Sequence, residues 1–301
     1  LASLTKMVYN IKETPHASPP ALAPSGRGFI SRRTGISTRR FLKKLSGRRT
    51  VIAMIRLIAT DLDGTLLSTA SQLPQQNIDA LKRAMNAGVR VTISSGRMIE
   101  ATLPIARQIG VNAPMSLFNG AMIYDMDADR ILAGKTVPRE AAVAVLKRLE
   151  ALGAYTHAFP GRGYYLPERC AWTEYYENKI GVRGTAVGMP LSQWLQSDVY
   201  KLLTLGEPEQ LDRLIDVLQP DFPQLNFVKS GKTHLEIVLA GVDKADGMRG
   251  VSAATGIAPE EMMAFGDEMN DLPMLQYCGV SYAMENAVEG VRSAIKLTAP
   301  K

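Results

Sequence analysis

A chain of 301 residues, 46% of them hydrophobic, is long enough to form one or two domains around a sizeable core. It has no apolar run approaching the length of a membrane span, and its two cysteines do not make a disulfide framework, so the composition fits a cytoplasmic protein. The net charge of +6 is uneven, because residues 1–53 hold 11 of the 35 lysines and arginines but only one of the 29 acids. The remainder therefore carries −4, which gives no reason to expect that the folded part binds nucleic acid.

Residues 1–53 form a basic arm that is rich in Ser, Pro, Gly and Arg and has no sustained apolar periodicity. This composition and its uniform charge are typical of disordered segments. Three interpretations are open: an organelle transit peptide, a basic tether for nucleic acid or an anionic membrane, and an extension outside the functional protein. We favour the third, because Met54 stands directly before the first predicted strand.

The first predicted strand ends in two carboxylates. Ile55–Ala59 is an apolar run that predicts a buried parallel strand, and it leads into Asp61–Thr65 (DLDGT). Ligands in open α/β sheets collect at the carboxyl ends of strands. Buried acids at such a point need partners, and a metal ion satisfies them well. An Asp-Gly pair is also ordinary turn chemistry, so this stretch alone does not decide between a turn and a site.

Helix and strand patterns alternate after this motif. Pro74–Gly88 predicts a helix, since apolar residues recur on one face, proline suits the first turn and glycine suits the position after the last. The strand predicted at Val89–Ser94 ends in Ser95-Gly96-Arg97, and a helical pattern covers 98–109 with an expected break at Pro104. This alternation predicts an α/β fold with a doubly wound parallel sheet.

Beyond short strand pieces that flank Asn119-Gly120, the chain leaves this pattern from about Met122 to Glu236. A mixed α and β block within an α/β core indicates a second domain, so we assign 54–121 and 237–301 to the core and 122–236 to an inserted domain. The elements predicted in the insert are helices at Pro138–Leu152, Glu168–Ile180 and Glu207–Leu218, and strands at Ala154–Phe159, Tyr200–Leu205, Leu225–Ser230 and His234–Leu239.

The last part of the chain again places polar residues where elements begin or end. Lys244 opens a helical segment, and the strand predicted at Glu261–Phe265 ends in Gly266–Asp271 (GDEMND). Together with the acids after the first strand and the hydroxyl of Ser95, these positions form an inventory for handling a phosphate with a divalent cation.

The ordered motifs DxDGT, SGR, Lys and GDxxND resemble those of the haloacid dehalogenase (HAD) phosphatase superfamily. Phe118–Ala121 (FNGA), the long insert after it and Gly279–Ala287 (GVSYAMENA) resemble the Cof-type, class IIB branch. The resemblance runs from about Met54 nearly to the end, and it implies a Rossmann-like HAD core with an inserted α+β cap that closes over the active site. The family usually continues into a C-terminal helix where this sequence stops at Ala299-Pro300-Lys301, so we expect uncovered apolar surface there.

The resemblance also implies roles for individual residues. Asp61 is expected to be the nucleophile that forms an aspartyl-phosphate, and Asp63 the general acid and base, or else only a support for the Asp61 loop. Lys244 is expected to neutralise the phosphate and orient Asp61. The implied cofactor is Mg²⁺, with Asp61, Asp63 through its backbone carbonyl, Asp267 and Asp271 as the expected metal site.

The residues expected to bind the substrate phosphate share a position at strand ends or at the helix start: Leu62, Ser95, Gly96, Arg97, Asn119, Lys244 and Asn270. Several of them have a second interpretation. Ser95 also suits a helix cap, Arg97 a solvated charge, and Asn119 the turn of an Asn-Gly hairpin. Asp271 is alternatively a helix cap or a support for the metal ligands.

These assignments predict a Mg²⁺-dependent phosphatase of small phosphorylated metabolites such as sugar phosphates. No nucleic-acid or membrane partner is expected for the core, and the oligomeric state stays open. One alternative is a phosphomutase with the same aspartyl chemistry, and another is a non-catalytic, basic-armed binding protein on the HAD scaffold. His157 and His234 have no partner at metal-ligand spacing, so we expect them to be structural parts of the cap, with His157 a candidate substrate contact.

Overall fold

The computed structural model describes residues 54–68 and 71–300, so the prediction of a disordered arm at 1–53 lies outside the described residues. Strands and helices alternate in the first part of the described chain. In chain order they are β1 (Leu57–Thr60), α1 (Gln75–Asn86), β2 (Arg90–Ile93), α2 (Ile99–Ile109), β3 (Met115–Leu117), β4 (Met122–Asp125) and β5 (Arg130–Gly134).

The middle of the chain mixes helices with strands that pair locally. Its elements are α3 (Arg139–Ala151), β6 (Tyr155–Phe159), β7 (Tyr165–Leu166), α4 (Ala171–Ile180), β8 (Thr185–Ala186), α5 (Leu191–Trp194), β9 (Lys201–Leu205), α6 (Pro208–Leu218), β10 (Leu225–Gly231) and β11 (His234–Leu239). The last part returns to alternation, with α7 (Lys244–Thr255), β12 (Met262–Gly266), α8 (Leu272–Tyr277), β13 (Val280–Met284), α9 (Glu289–Ala294) and β14 (Leu297–Ala299). Within the described residues, no helix has both the length and the hydropathy needed to span a membrane.

The core is a five-stranded parallel sheet in the order β14-β13-β12-β1-β2. Side chains of β1 alternate between its two faces, and both faces are buried. Ile58 packs in the cluster that includes residues of α1 and α2, whereas Leu57 and Ala59 pack in the cluster that includes residues of α7 and α8. The prediction of a doubly wound α/β core is therefore confirmed.

Helix α2 runs through Pro104 without the break that the sequence predicts. A proline inside a helix removes one N–H donor and so one backbone hydrogen bond. Here Pro104 is exposed, whereas Ile99, Leu103 and Ile109 are buried against the sheet. The missing hydrogen bond falls on the solvent side, and the apolar contacts on the other side keep the helix continuous.

Strands β3, β4 and β5 form an antiparallel sheet that belongs with the core. A bridge between Ser94 and Ser116 joins this sheet to β2, and Ile123 of β4 packs in the same cluster as α7. The boundary expected at residue 122 thus falls inside a hairpin, because the strand that returns after Asn119-Gly120 pairs with β3. At the other end, β11 pairs within the inserted sheet as far as Leu239, so the boundary expected at 236 falls inside a strand.

The inserted domain is a six-stranded sheet in the order β10-β11-β9-β6-β7-β8. One face packs on α3 and α6 through Ala158, Leu202 and Ile237. We call the opposite face, which carries His157, Phe159, Lys201, Leu203 and Glu236, the inner face of the cap. It meets the core where the rings of Phe159 and Tyr200 lie 6.1 and 5.3 Å from that of Phe118 in the β3–β4 turn, which brings the cap over the carboxyl end of the core sheet.

Candidate active site

The loop after β1 holds Asp61 at the carboxyl end of this strand, which lies between β12 and β2 in the core sheet. The backbone N–H of Asp61 donates to the carbonyl of Phe265 at 3.1 Å, which fixes the start of the loop to β12. The chain then turns tightly, with a hydrogen bond from the Leu67 N–H to the Leu62 carbonyl and with Gly64 at a φ of +83°. That left-handed backbone favours glycine. The turn leaves the Asp61 carboxylate buried.

Lys244 lies at the first position of α7 and forms buried ion pairs with two carboxylates. Its Nζ is 2.6 Å from Asp61 Oδ1 and 2.5 Å from Asp271 Oδ1. Burial opposes the charge on Lys244, but the two carboxylates outweigh it and raise the lysine pKa to about 12. Burial raises the pKa of Asp61 to about 7, and the ammonium of Lys244 acts against this by stabilising the carboxylate.

The β3–β4 turn packs directly on the start of α7. Asp243 caps this helix by accepting the N–H of Asp246 at 3.0 Å. Gly120 approaches so closely that a Cβ there would lie 1.9 Å from the carbonyl oxygen of Asp243. The turn that carries Asn119 is therefore held beside the helix end that carries Lys244.

Two more buried acids follow β12. Asp267 accepts the hydroxyl of Thr65 at 2.7 Å and the amide of Asn286 at 3.2 Å, and burial raises its pKa to about 6. Asp271 is fully buried, and its Oδ2 accepts the backbone N–H groups of Asp267 at 2.9 Å and of Glu268 at 3.0 Å. Asp271 thus shapes the loop and anchors Lys244.

Asp61, Asp267 and Asp271 each offer a carboxylate oxygen, and these oxygens lie within 4.8 Å of one another. Three buried carboxylates share one ammonium, that of Lys244, which leaves excess negative charge in a desolvated place. A divalent cation with a preference for carboxylate oxygens fits that excess. Asp271 accepts three hydrogen bonds on its two oxygens, whereas Asp267 accepts two and Asp61 Oδ1 accepts one from Lys244, so Asp61 and Asp267 keep more capacity for a metal.

The side chain of Asp63 lies outside this cluster. It receives two hydrogen bonds from Arg97, from Nε at 2.8 Å and from Nη2 at 2.5 Å, and it is 58% exposed. The sequence places Asp63 and Arg97 in different groups, an acid–base residue and a phosphate ligand, whereas the structure pairs them. The pair stands at the open side of the loop, where a leaving group can reach it.

The remaining candidates surround the strand end of β2. Ser95 is buried, and its hydroxyl accepts the backbone N–H of Arg97 at 3.2 Å, whereas α2 begins only at Ile99. Ser95 therefore does not cap α2. Asn119 has a φ of +55° in the hairpin turn and also accepts the amide of Asn270 at 3.0 Å, so it combines the turn and the site position.

Gly96 and Leu62 contribute backbone rather than side chains. A Cβ at Gly96 would lie 3.0 Å from the Asn119 amide, which shows how closely the loops after β2 and β3 approach. The side chain of Leu62 is fully buried in the core cluster, so only its main chain faces the site.

The sequence analysis did not assign Thr65 and Asn286 to the site. Thr65 is the last residue of the DLDGT motif, and its hydroxyl orients Asp267. Asn286 follows β13, the strand next to β12, and its amide donates to the Gly64 carbonyl at 3.0 Å as well as to Asp267. The signal for both is a polar side chain at a strand end of the parallel sheet.

Comparison with known proteins agrees with this geometry. A model of the haloacid dehalogenase-like hydrolase family matches residues 58–301. The chain is 26% identical to phosphatase YwpJ of Bacillus subtilis over 272 residues, which cover 81% of this chain and 95% of YwpJ. It is 28% identical to pyridoxal phosphate phosphatase YbhA of Escherichia coli over 254 residues, with coverages of 79% and 90%.

Among solved structures, the crystal structure of TM0651 from Thermotoga maritima is similar with a TM-score of 0.76 at 28% identity, covering 82% of this chain and 92% of that one. The chain belongs to the haloacid dehalogenase-like hydrolase family. The prediction from the motifs, a Cof-type member of the HAD phosphatase superfamily, is confirmed.

Proposed function

We propose that this chain is a Mg²⁺-dependent phosphatase that hydrolyses small phosphorylated metabolites through an aspartyl-phosphate on Asp61. The observation that carries the proposal is the buried contact of Lys244 with Asp61 and Asp271, next to Asp267. A carboxylate held by a buried ammonium is an oriented nucleophile, and the same ammonium offsets the charge of an approaching phosphate.

Mg²⁺ would be held by Asp61 and Asp267, with the backbone carbonyl of Asp63 as a third protein ligand. When bound, it supplies charge neutralisation of the phosphate and favours the ionised carboxylate of Asp61. The fit rests on the donor set, because three buried carboxylates near one lysine are poorly compensated. Asp271 supports this set through Lys244 and through the backbone of the Asp267 loop.

In the first step an Asp61 oxygen attacks phosphorus, and the bond from phosphorus to the ester oxygen breaks. Asp63 donates a proton to the departing oxygen, which leaves as an alcohol. In the second step Asp63 takes a proton from water, whose oxygen attacks phosphorus and releases the Asp61 carboxylate and inorganic phosphate. A protonated Asp63 gives up at least one of its two bonds from Arg97, so Arg97 becomes free to bind the phosphate as the acid forms.

The test is release of inorganic phosphate from p-nitrophenyl phosphate with Mg²⁺ and with excess EDTA. We expect activity only with Mg²⁺, and we expect Asp61→Asn to reduce it to background while circular dichroism shows an intact fold. Glu268→Gln is the matched control, since Glu268 is an exposed acid in the same loop. Full activity in EDTA, or turnover by Asp61→Asn near that of the wild type, would contradict the proposal.

A substrate panel then separates hydrolysis from transfer. It contains sugar phosphates, nucleotides, flavin mononucleotide and pyridoxal phosphate, the last because the relative YbhA is named for it. Phosphate released to water supports a phosphatase, whereas a phosphate that reappears on a second sugar hydroxyl would favour the mutase alternative. A cytoplasmic location and the lack of a nucleic-acid partner stay predictions.

A further inference from the structure

Lys201 and Glu236 form an ion pair on the inner face of the cap. The Lys201 Nζ lies 2.8 Å from Glu236 Oε1, and the two side chains are only 6% and 13% exposed. They come from the neighbouring strands β9 and β11, where Glu236 is paired with Leu203 and so lies on the same face as Lys201. The pair therefore belongs to the surface that the cap turns toward the core.

This ion pair lies close to the turn that carries Asn119 of the candidate active site. The Lys201 ammonium lies 5.9 Å from the ring of Phe118, the residue directly before Asn119. Tyr176 of α4 also packs on the inner face of the cap, where its ring lies 5.3 Å from that of His157.

The hydrogen-bonding capacity of the pair is incompletely used. An ammonium has three donors, and across residues 54–68 and 71–300 the Lys201 Nζ makes a single hydrogen bond, to Glu236 Oε1, while Glu236 Oε2 accepts none. On the same face His157 of β6 lies across Leu203 from Glu236; its imidazole is fully buried, and neither ring nitrogen has a partner in the described part of the chain. Unused donors and acceptors thus collect on one buried patch.

A purely structural role explains this arrangement poorly. A buried ion pair repays its desolvation cost only with good geometry and further hydrogen bonds, and apolar residues of similar size often stabilise as well. Buried polar groups without partners are rare and costly. A ligand that supplies both donors and acceptors removes that cost, and Lys201 lies against the ring of Phe118, next to Asn119 of the candidate site.

We infer that Lys201 and Glu236 determine leaving-group specificity by binding hydroxyl groups of a polyhydroxylated phosphate ester, a phosphorylated sugar or polyol. A hydroxyl accepts from an ammonium and donates to a carboxylate, so two neighbouring hydroxyls match the pair. This inference rests on the phosphatase function proposed above.

The test compares kcat/KM for the best sugar or polyol phosphate of a panel with kcat/KM for p-nitrophenyl phosphate, whose leaving group carries no aliphatic hydroxyl. We expect Glu236→Gln and Lys201→Met each to lower the ratio of these two values by about 10- to 100-fold, since each removes a charge-assisted hydrogen bond. The matched control is Lys229→Met. Lys229 lies on β10 of the same sheet and forms an exposed ion pair with Asp212 of α6, so its replacement should leave the ratio of the two kcat/KM values unchanged.

If a single variant fails to fold, the double variant Lys201→Met with Glu236→Leu leaves no unpaired buried charge and gives the same readout. Equal loss on both substrates, with an unchanged ratio, would show a structural role and overturn the inference. A wild type that prefers p-nitrophenyl phosphate over every hydroxylated ester would overturn it as well. Absence of phosphate release from all esters would instead contradict the proposed function itself.

Discussion

Replacing Gly64 with alanine tests whether the turn after β1 sets the position of Asp267. Gly64 has a φ of +83°, a conformation that costs an L-residue about 1–2 kcal/mol. An added Cβ would also lie 2.1 Å from Asp267 Oδ2 and 2.8 Å from its Cγ. Ordinary van der Waals contact begins at 3.4 Å, so the carboxylate or the turn must move by about 1.3 Å.

That movement has a direct cost for the site. Asp267 is held by Thr65 at 2.7 Å and by Asn286 at 3.2 Å, and a shift of this size breaks at least one of the two bonds. Misplacing a catalytic group by 1 Å costs about 100-fold in rate. We therefore expect kcat/KM for p-nitrophenyl phosphate to fall about 100-fold in Gly64→Ala and the Mg²⁺ concentration at half-maximal rate to rise.

Gly110→Ala is the matched control for backbone strain. Gly110 ends α2 with the same φ of +83°, but a Cβ there meets no atom within 4 Å. Gly110→Ala should lose about 1–2 kcal/mol in urea denaturation from backbone strain alone, and Gly64→Ala should lose more because its Cβ also meets Asp267. Only Gly64→Ala should lose activity at temperatures where both are folded. Near-normal kcat/KM in Gly64→Ala, or an equal loss in Gly110→Ala, would refute the reasoning.

Three further outcomes are expected. Burial lowers the pKa of His157 to about 3 in the folded protein, whereas its pKa in the unfolded chain is about 6.5. Below pH 6.5 the unfolded chain therefore binds a proton that the folded protein does not, and the free energy of unfolding falls by about 1.4 kcal/mol per pH unit. In His157→Leu, urea midpoints measured between pH 6.5 and 5 should lose this dependence. Asp271→Asn leaves Lys244 paired with Asp61 but replaces one of two acceptor oxygens by an amide donor, so a bond from Lys244 or from the backbone N–H groups of Asp267 and Glu268 is lost; the cost should be about 1–3 kcal/mol, measured in the same way. Deleting residues 1–53, which hold none of the motif residues, should leave kcat and kcat/KM unchanged at 0.15 M salt, where screening extends over about 8 Å, and a large fall in kcat would contradict this.

The core was predictable because its strands are short apolar runs that stop at polar residues. β1 and β12 are buried on both faces, and the acids that follow them must meet because parallel strands share one carboxyl edge. The sequence could therefore place Asp61 and Asp267 near each other without any coordinates. The helix position of Lys244 was not enough to predict it as a site residue, since a lysine at a helix start is usually solvated. Only the order of the motifs indicated its role.

Contacts between loops and between distant strands could not be predicted from the sequence. The hydrogen bonds from Arg97 to Asp63 depend on the relative position of two loops, which no local sequence pattern predicts. The ion pair of Lys201 with Glu236 depends on the register between β9 and β11, two strands that α6 and β10 separate in the chain. At Pro104 the prediction from the local sequence was wrong. The expected break in the helix does not form, because the helix face opposite the proline packs against the sheet.

The insertion of the cap into the core also dictates the order in which this protein is completed during synthesis. Strand β1 emerges early, yet one of its two neighbours is β12, and the ion pair of Arg56 with Glu261 spans 205 positions of the chain. Strands β6 to β11 pair among themselves and are all synthesised before β12, so their pairing shortens the span that must close. Until residue 262 is made, the edge of β1 stays open to a wrong partner. Asp61 and Asp267 meet only at this final closure, so a chain that stops before residue 262 lacks one of the carboxylates of the candidate site.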